Sequence, residues 1–259
     1  MQGNPTLPGA SLNGVQAKLE RARTHQNAVQ LEIQAFLDRL RSELNPLVAE
    51  LDPETGEKRW RVDRDLPAPP TTLSPLIGDA LYNFRSALDH LVWQLVIANG
   101  AVPTPGNAFL ICDDRHKFAS GAPNRLRGVA PRAVALIKDF QPCHTQHHFW
   151  GPSLWHLETL GNVDKHRHFN LLTAATAGGF WNPVLPVGAS DVVFIAEGPV
   201  ERGTVVASVP ERYAYVDFSF VPDVAFDEAP APADDSVDGV LMGIDSIVAH
   251  IVDELGKLI

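Results

Sequence analysis

The chain has 259 residues, 45% of them hydrophobic and 20% charged, with a formal net charge of -10. That length can bury a real core, as one large domain or two small ones, and the composition is that of a globular protein. Two cysteines are too few for a disulfide scaffold, no apolar run is long enough to span a bilayer, and the acidic balance argues against a broad basic surface for duplex DNA.

The charge is unevenly spread. From Asp223 to Ile259 nine acidic residues face one basic residue. The rest of the chain is close to neutral, which leaves room for a local pocket that takes a single strand. Arginines outnumber lysines 15 to 6, and Ala, Val and Pro abound; this is the bias of a GC-rich, bacterial genome. The start M-Q-G-N-P-T-L-P-G-A lacks the basic and apolar runs of a secretory signal, so the expected compartment is the cytoplasm.

Residues 1–10, rich in Pro and Gly, are expected to be disordered. Ser11 reads as an N-cap. From Leu12 the apolar residues recur in steps of three and four through Val15, Leu19, Ala22, Val29, Ile33, Phe36 and Leu40. That spacing predicts a long amphipathic helix with a seam laid along another helix. Asn45-Pro46 ends it. D-P-E-T-G-E, between two short extended runs, predicts a hairpin. P-A-P-P at 67–70 is a stiff connector.

A second helix is expected from about Leu73 to Asn99, stopped by Gly100. Residues 101–130 read mostly as loop, with a short extended piece at Ala108–Ile111. Pro131 opens a short helix ending near Phe140, and another helix covers about Pro152–Asp164. The period then changes to strands: about His168–Ala174, D-V-V-F-I-A, T-V-V-A-S-V, and Y-A-Y-V-D-F-S-F-V, where Val216, Phe218 and Phe220 alternate with Tyr215, Asp217 and Ser219. A final helix runs from about Ser236 to Lys257. The order predicts an α+β fold: a helical bundle with a small antiparallel β-sheet packed on it. The expected organisation is one domain over 11–259, with a helical core (11–167 and 236–259), a β-rich insertion (168–222) and an acidic linker (223–235).

Two charged knots interrupt the apolar pattern. The first is N-F-R-S-A-L-D-H, residues 83–90, on the second helix. There Arg85 and Asp89, four apart, share a face with Tyr82 and Trp93, while Asn83, Ser86 and His90 form a neighbouring stripe. The second is N-V-D-K-H-R-H, residues 162–168, at a helix end whose dipole suits cations. Buried charges need partners, so the two knots are expected to face each other. Asp164 is placed to accept from Arg85 or His90, and His166 or Arg167 to meet Asp89. His156 and Glu158 lie near the same cleft. The simple reading is a polar network that fixes the register of two helices. The sharper one is a site with His90, Arg85 and Asp89 as catalytic residues and Asn83, Asp164, Lys165, His166 and Arg167 as binding residues.

Arg85 and His90, with a polar Ser after the Arg, resemble the Arg-x4–6-His motif of the HEPN superfamily, compact helical bundles that include many metal-independent endoribonucleases. The resemblance implies that His90 is a general acid/base and Arg85 a phosphate clamp, in a cleft often formed at a homodimer interface, with single-stranded RNA as the partner and no cofactor. On a regular helix five residues rotate by about 140°, so the pair would converge only at a helix end or distortion. More broadly, G-D-A-L-Y-N-F-R-S-A-L-D-H followed by N-V-D-K-H-R resembles a group of uncharacterised bacterial proteins over about residues 75–170.

Two other sets have metal-ligand chemistry. Cys112, His116, Cys143 and His148, with His144 and His147 as alternatives, are zinc-ligand types, although their spacing matches no standard finger. His90 with His156 and His166 or His168 would suit a metal-dependent hydrolase, but Arg85 beside them would repel a cation.

Overall fold

The computed structural model describes residues 9–43, 46–144, 151–175, 193–194, 198–213, 223–227 and 236–259. The class is α+β, as the sequence predicts. Six helices, α1 (Asn13–Glu43), α2 (Leu73–Ala98), α3 (Arg115–Arg125), α4 (Pro131–Asp139), α5 (Gly151–Asp164) and α6 (Val237–Gly256), accompany antiparallel strands among the described residues. The strands are β1 (Leu47–Leu51), β2 (Lys58–Val62), β3 (Leu171–Ala175), β4 (Val193–Phe194), β5 (Gly198–Pro199), β6 (Val205–Val209) and β7 (Asp223–Phe226). They fall into two sheets, ordered β1-β2-β6-β4 and β5-β3-β7. The chain divides into two compact units: Met1–Ala28, Pro75–His168 and Val240–Ile259 form one, and Val29–Ser74 and Phe169–Gly239 the other.

The first unit is helical. The seam expected on α1 is real there: Val15, Leu19 and Ala22 are buried. It lies along α6, where a Cβ on Gly256 would come within 2.9 Å of Leu12 and Arg23 Nε pairs with Asp245 at 2.9 Å. Ser11 Oγ accepts the Asn13 N–H at 3.2 Å, as a cap should. The apolar face of α2, including Ile77, Leu81, Phe84, Leu88, Leu91 and Val92, is fully enclosed. Each such side chain contributes about 1.5–3 kcal/mol by burial. Gly100, at φ +74°, ends α2, and its N–H returns to the Ile97 carbonyl at 2.8 Å. A left-handed residue at that place favours glycine.

The stretch expected to be loop contains α3. Its sequence hides it: Gly121 and Pro123 lie inside, and only Phe118 is buried. What forms it is Asp114, whose carboxylate accepts the N–H groups of His116 and Lys117 at 2.6 and 3.0 Å. By contrast, α4 starts at Pro131 as expected. The piece after Asn107 pairs with no strand among the described residues and is held by side chains.

The second unit contains both sheets. The predicted hairpin is β1-β2, with Leu47 opposite Val62. Asp52 shapes its turn by accepting from Glu54 and Thr55 N–H groups and pairing with Arg59. Trp60, Val62, Val206 and Val209 make an apolar cluster with Val200. In the smaller sheet Leu171 lies opposite Phe226, and Phe169 meets Phe226 edge-on with ring centroids 5.5 Å apart. Asp223–Phe226, the first residues of the expected acidic linker, form β7 because Val224, Ala225 and Phe226 are buried. Residues 214–222, most of D-V-V-F-I-A, linker residues 228–235 and residues 1–8 lie outside the described residues.

Candidate functional site

The polar centre of the helical unit lies between α2 and α5. Arg85 and Asp89 are one turn apart on α2, with Nε 3.7 Å from Oδ2. Their principal partners are elsewhere. Arg85 Nη1 donates to Glu158 Oε2 of α5 at 2.6 Å, and Nη2 donates to the Phe109 carbonyl at 2.6 Å. Asp89 Oδ1 accepts the Phe109 N–H at 2.8 Å. Both backbone groups of one extended residue are thus gripped by side chains spaced i, i+4 on a helix. A neighbouring strand would do the same with its own backbone.

The far edge of that segment is treated alike. Gln141 is fully buried. Its Nε2 donates to the Leu110 carbonyl at 2.8 Å and the Ile137 carbonyl at 3.0 Å, and its Oε1 accepts the Cys112 N–H at 2.9 Å. Cys143 N–H donates to the Cys112 carbonyl at 3.2 Å. Side chains therefore replace a sheet ladder and satisfy backbone groups that burial would otherwise penalise.

A pocket of about 430 Å³ opens beside this segment. Arg85 and Asp89 from α2, Glu158, Asp164 and Lys165 from the α5 region, and Arg125 from the end of α3 supply its charges, with Ala108–Ile111 as one wall. The two knots do converge on one cavity. The expected pairings differ, however: Arg85 takes Glu158, not Asp164, and Asp89 takes the Phe109 N–H, not His166 or Arg167.

Asp164 sits against Gly78, where a Cβ would be 2.6 Å from its Cγ. Burial pushes its carboxyl above the usual range; Asp79 adds to this and His168 opposes it. Burial likewise raises Asp89, against the Arg85 charge, the Phe109 N–H and the Arg125 charge. Burial thus holds Asp89 and Asp164 toward their neutral forms. Lys165 Nζ donates to Asn162 at 3.0 Å.

His90, Asn83, His156, His166 and Arg167 do not line the cavity. His90 is exposed and packs toward α1, its Nδ1 3.3 Å from where a Gly14 Cβ would stand. The helix is regular between Arg85 and His90, so the two side chains diverge as the rotation requires. Asn83 is buried, with Nδ2 donating to the Asp79 carbonyl at 2.8 Å. His166 and Arg167 are exposed, and their N–H groups both close on the Val163 carbonyl at 3.0 Å. His156 is buried on α5. Tyr82 borders the cavity and is 66% exposed.

Among the described residues no three His, Cys, Asp or Glu side chains cluster as a metal site. His147 and His148 lie outside the described residues. Cys112 and Cys143 are both free thiols, raised by burial above the ordinary cysteine range.

Sequence reasoning missed Arg125, the Phe109 peptide and Gln141. The last two carry no signal, because a backbone group is invisible in sequence and a lone Gln reads as surface. Gly161 was also missed. It lines the pocket from the last turn of α5, and a Cβ there would meet nothing within 4 Å. No family model matches the chain, and neither the curated proteins nor the solved structures contain a match to it. Among the described residues no helix is long and apolar enough to cross a membrane.

Proposed function

We propose that this chain is a non-catalytic binding protein of the bacterial cytoplasm, built on a HEPN-like helical core, whose Arg85–Asp89–Glu158 network is the frame of a ligand pocket and not an endoribonuclease centre. The observation that carries the reading is the commitment of Arg85. Its guanidinium is engaged by Glu158 and the Phe109 carbonyl, so a substrate phosphate would have to displace internal partners. His90, the acid/base of the alternative reading, faces Gly14 and does not line the pocket.

Gly161 supports the binding half of the reading. A glycine within a helix costs up to about 1 kcal/mol relative to alanine, and Gly161 lies in the last turn of α5. Gly78 and Gly243 have packing reasons, since a Cβ on either would strike Asp164 or Ser153. Gly161 has no such reason and keeps the pocket open instead.

The test assays the full chain for cleavage of mixed-sequence RNA without metal, beside His90→Ala and Arg85→Lys, with melting temperatures for all three. The expected outcome is no cleavage by any, an unchanged melting temperature for His90→Ala and a lowered one for Arg85→Lys. Cleavage by the native chain that disappears in His90→Ala without loss of stability would overturn the reading in favour of a metal-independent endoribonuclease.

A further inference from the structure

Residues 108–112 lie outside the helices and strands, and their hydrogen bonds alternate as those of an extended chain do. The Ala108 N–H donates to the Arg125 carbonyl at 3.2 Å, while the Leu110 carbonyl and Cys112 N–H both meet Gln141. Those even-numbered residues use one edge of the segment. Phe109 uses the other, toward Asp89 and Arg85. Successive residues of an extended chain turn to opposite sides with a period of two. Ile111 therefore presents its N–H and C=O on the Phe109 edge.

Ile111 is 8% exposed and lines the pocket. Neither of its backbone groups has a hydrogen-bond partner among the described residues. Buried backbone groups left unpaired are rare. A donor and an acceptor side by side on a cavity wall make a receptor for a complementary acceptor and donor. Arg125, exposed and with its charge acting on Asp89, lines the same pocket and, unlike Arg85, makes no ion pair within 4 Å among the described residues. The volume, about 430 Å³, is that of a small-molecule site.

Resting on the reading of this cavity as a binding site, we propose that it takes a ligand bearing a secondary amide and a nearby carboxylate. The amide N–H donates to the Ile111 carbonyl and the amide oxygen accepts the Ile111 N–H, repeating the two-point grip that Asp89 and Arg85 place on Phe109. The carboxylate meets Arg125. A peptide C-terminus and an N-acyl amino acid share this chemistry.

The probes are N-acetyl-leucine, its primary amide (no carboxylate), its N-methylated analogue (no amide N–H) and trialanine. They are titrated into the full chain by calorimetry and by amide NMR shifts. The expected result is binding of the first or the last with a shifted Ile111 amide, and loss of about tenfold or more in affinity on N-methylation or on removal of the carboxylate. Arg125→Ala should bring the acid down to the affinity of its primary amide. Gly161→Leu, which fills the cavity from a position with open space, should abolish binding with the melting temperature retained. Tighter binding of trialanine assigns a peptide terminus; tighter binding of N-acetyl-leucine assigns an acylated amino acid. The inference falls if N-methylation or Arg125→Ala leaves affinity unchanged, or if none of the probes binds. A fragment screen then separates the two readings. Other chemotypes that shift Ile111 and are blocked by Gly161→Leu leave the binding site standing, and none doing so removes both.

Discussion

Asp89 accepts the Phe109 backbone N–H at 2.8 Å, so a helix side chain does here what a strand does in a sheet. Arg85 completes the grip on the carbonyl of the same residue. Asp89→Ala leaves the Phe109 N–H unpaired next to a fully buried phenyl ring, and a lost partner of that kind costs about 1–3 kcal/mol. Asp89→Asn keeps an acceptor oxygen and should cost less than Asp89→Ala. Urea denaturation of the two variants measures the difference, and equal losses would show that the hydrogen bond is not what Asp89 supplies.

Two glycines of the helical unit predict opposite signs. Gly161→Ala gains helix propensity with nothing to strike, so it should stabilise by up to about 1 kcal/mol. Gly78→Ala places a methyl group against the Asp164 carboxylate and should destabilise by about 1–3 kcal/mol, the usual cost of overpacking. Paired thermal melts check this. A stabilised Gly78→Ala would mean that Asp164 swings away freely.

How far the sequence foresaw this molecule depends on whether the signal was periodic. The stripes Val15–Leu40 on α1 and Ile77–Leu95 on α2 repeat in threes and fours, and both helices are where that spacing put them. Asp52 and Gly56 announced the hairpin through turn chemistry. By contrast, α3 has one buried residue and an internal proline, so its cap was the only evidence. For the site, charges inside an apolar helix identified Arg85 and Asp89, and the cost of burying charge implied partners. Which partners was not legible. Glu158 and Asp164 sit six residues apart on α5, and only the packing of α5 on α2 decides that the first meets Arg85 and the second meets Gly78.

The pH dependence of stability should carry a term from Asp164. Burial, with Asp79 nearby, raises its carboxyl above the unfolded value. The folded state therefore holds the proton more tightly than the unfolded state, and stability falls as pH rises from the unfolded toward the folded value. Above that window the full cost of the buried charge is present. Asp164→Asn should match the native chain at acid pH, below the usual carboxylate range, and melt higher at neutral pH. A pH series of melts for both chains reads this, and a variant that melts lower at neutral pH would mean that ionised Asp164 makes a stabilising contact.

Gln141 makes the strongest demand on the segment that walls the pocket. It is fully buried and serves three backbone groups at once, those of Leu110, Cys112 and Ile137. Gln141→Ala strands all three and opens a cavity, so the loss should exceed that of Asp89→Ala, at about 3 kcal/mol or more. Gln141→Glu keeps the acceptor for the Cys112 N–H but loses the donor to both carbonyls and buries a carboxyl, so it should not rescue. Hydrogen exchange distinguishes local from global effects. The Cys112 amide should lose protection far more in Gln141→Ala than in Gln141→Glu, while the amides of the α2 core keep theirs up to the global limit. Equal protection of Cys112 in both would mean that its amide is guarded by packing and not by the Gln141 oxygen.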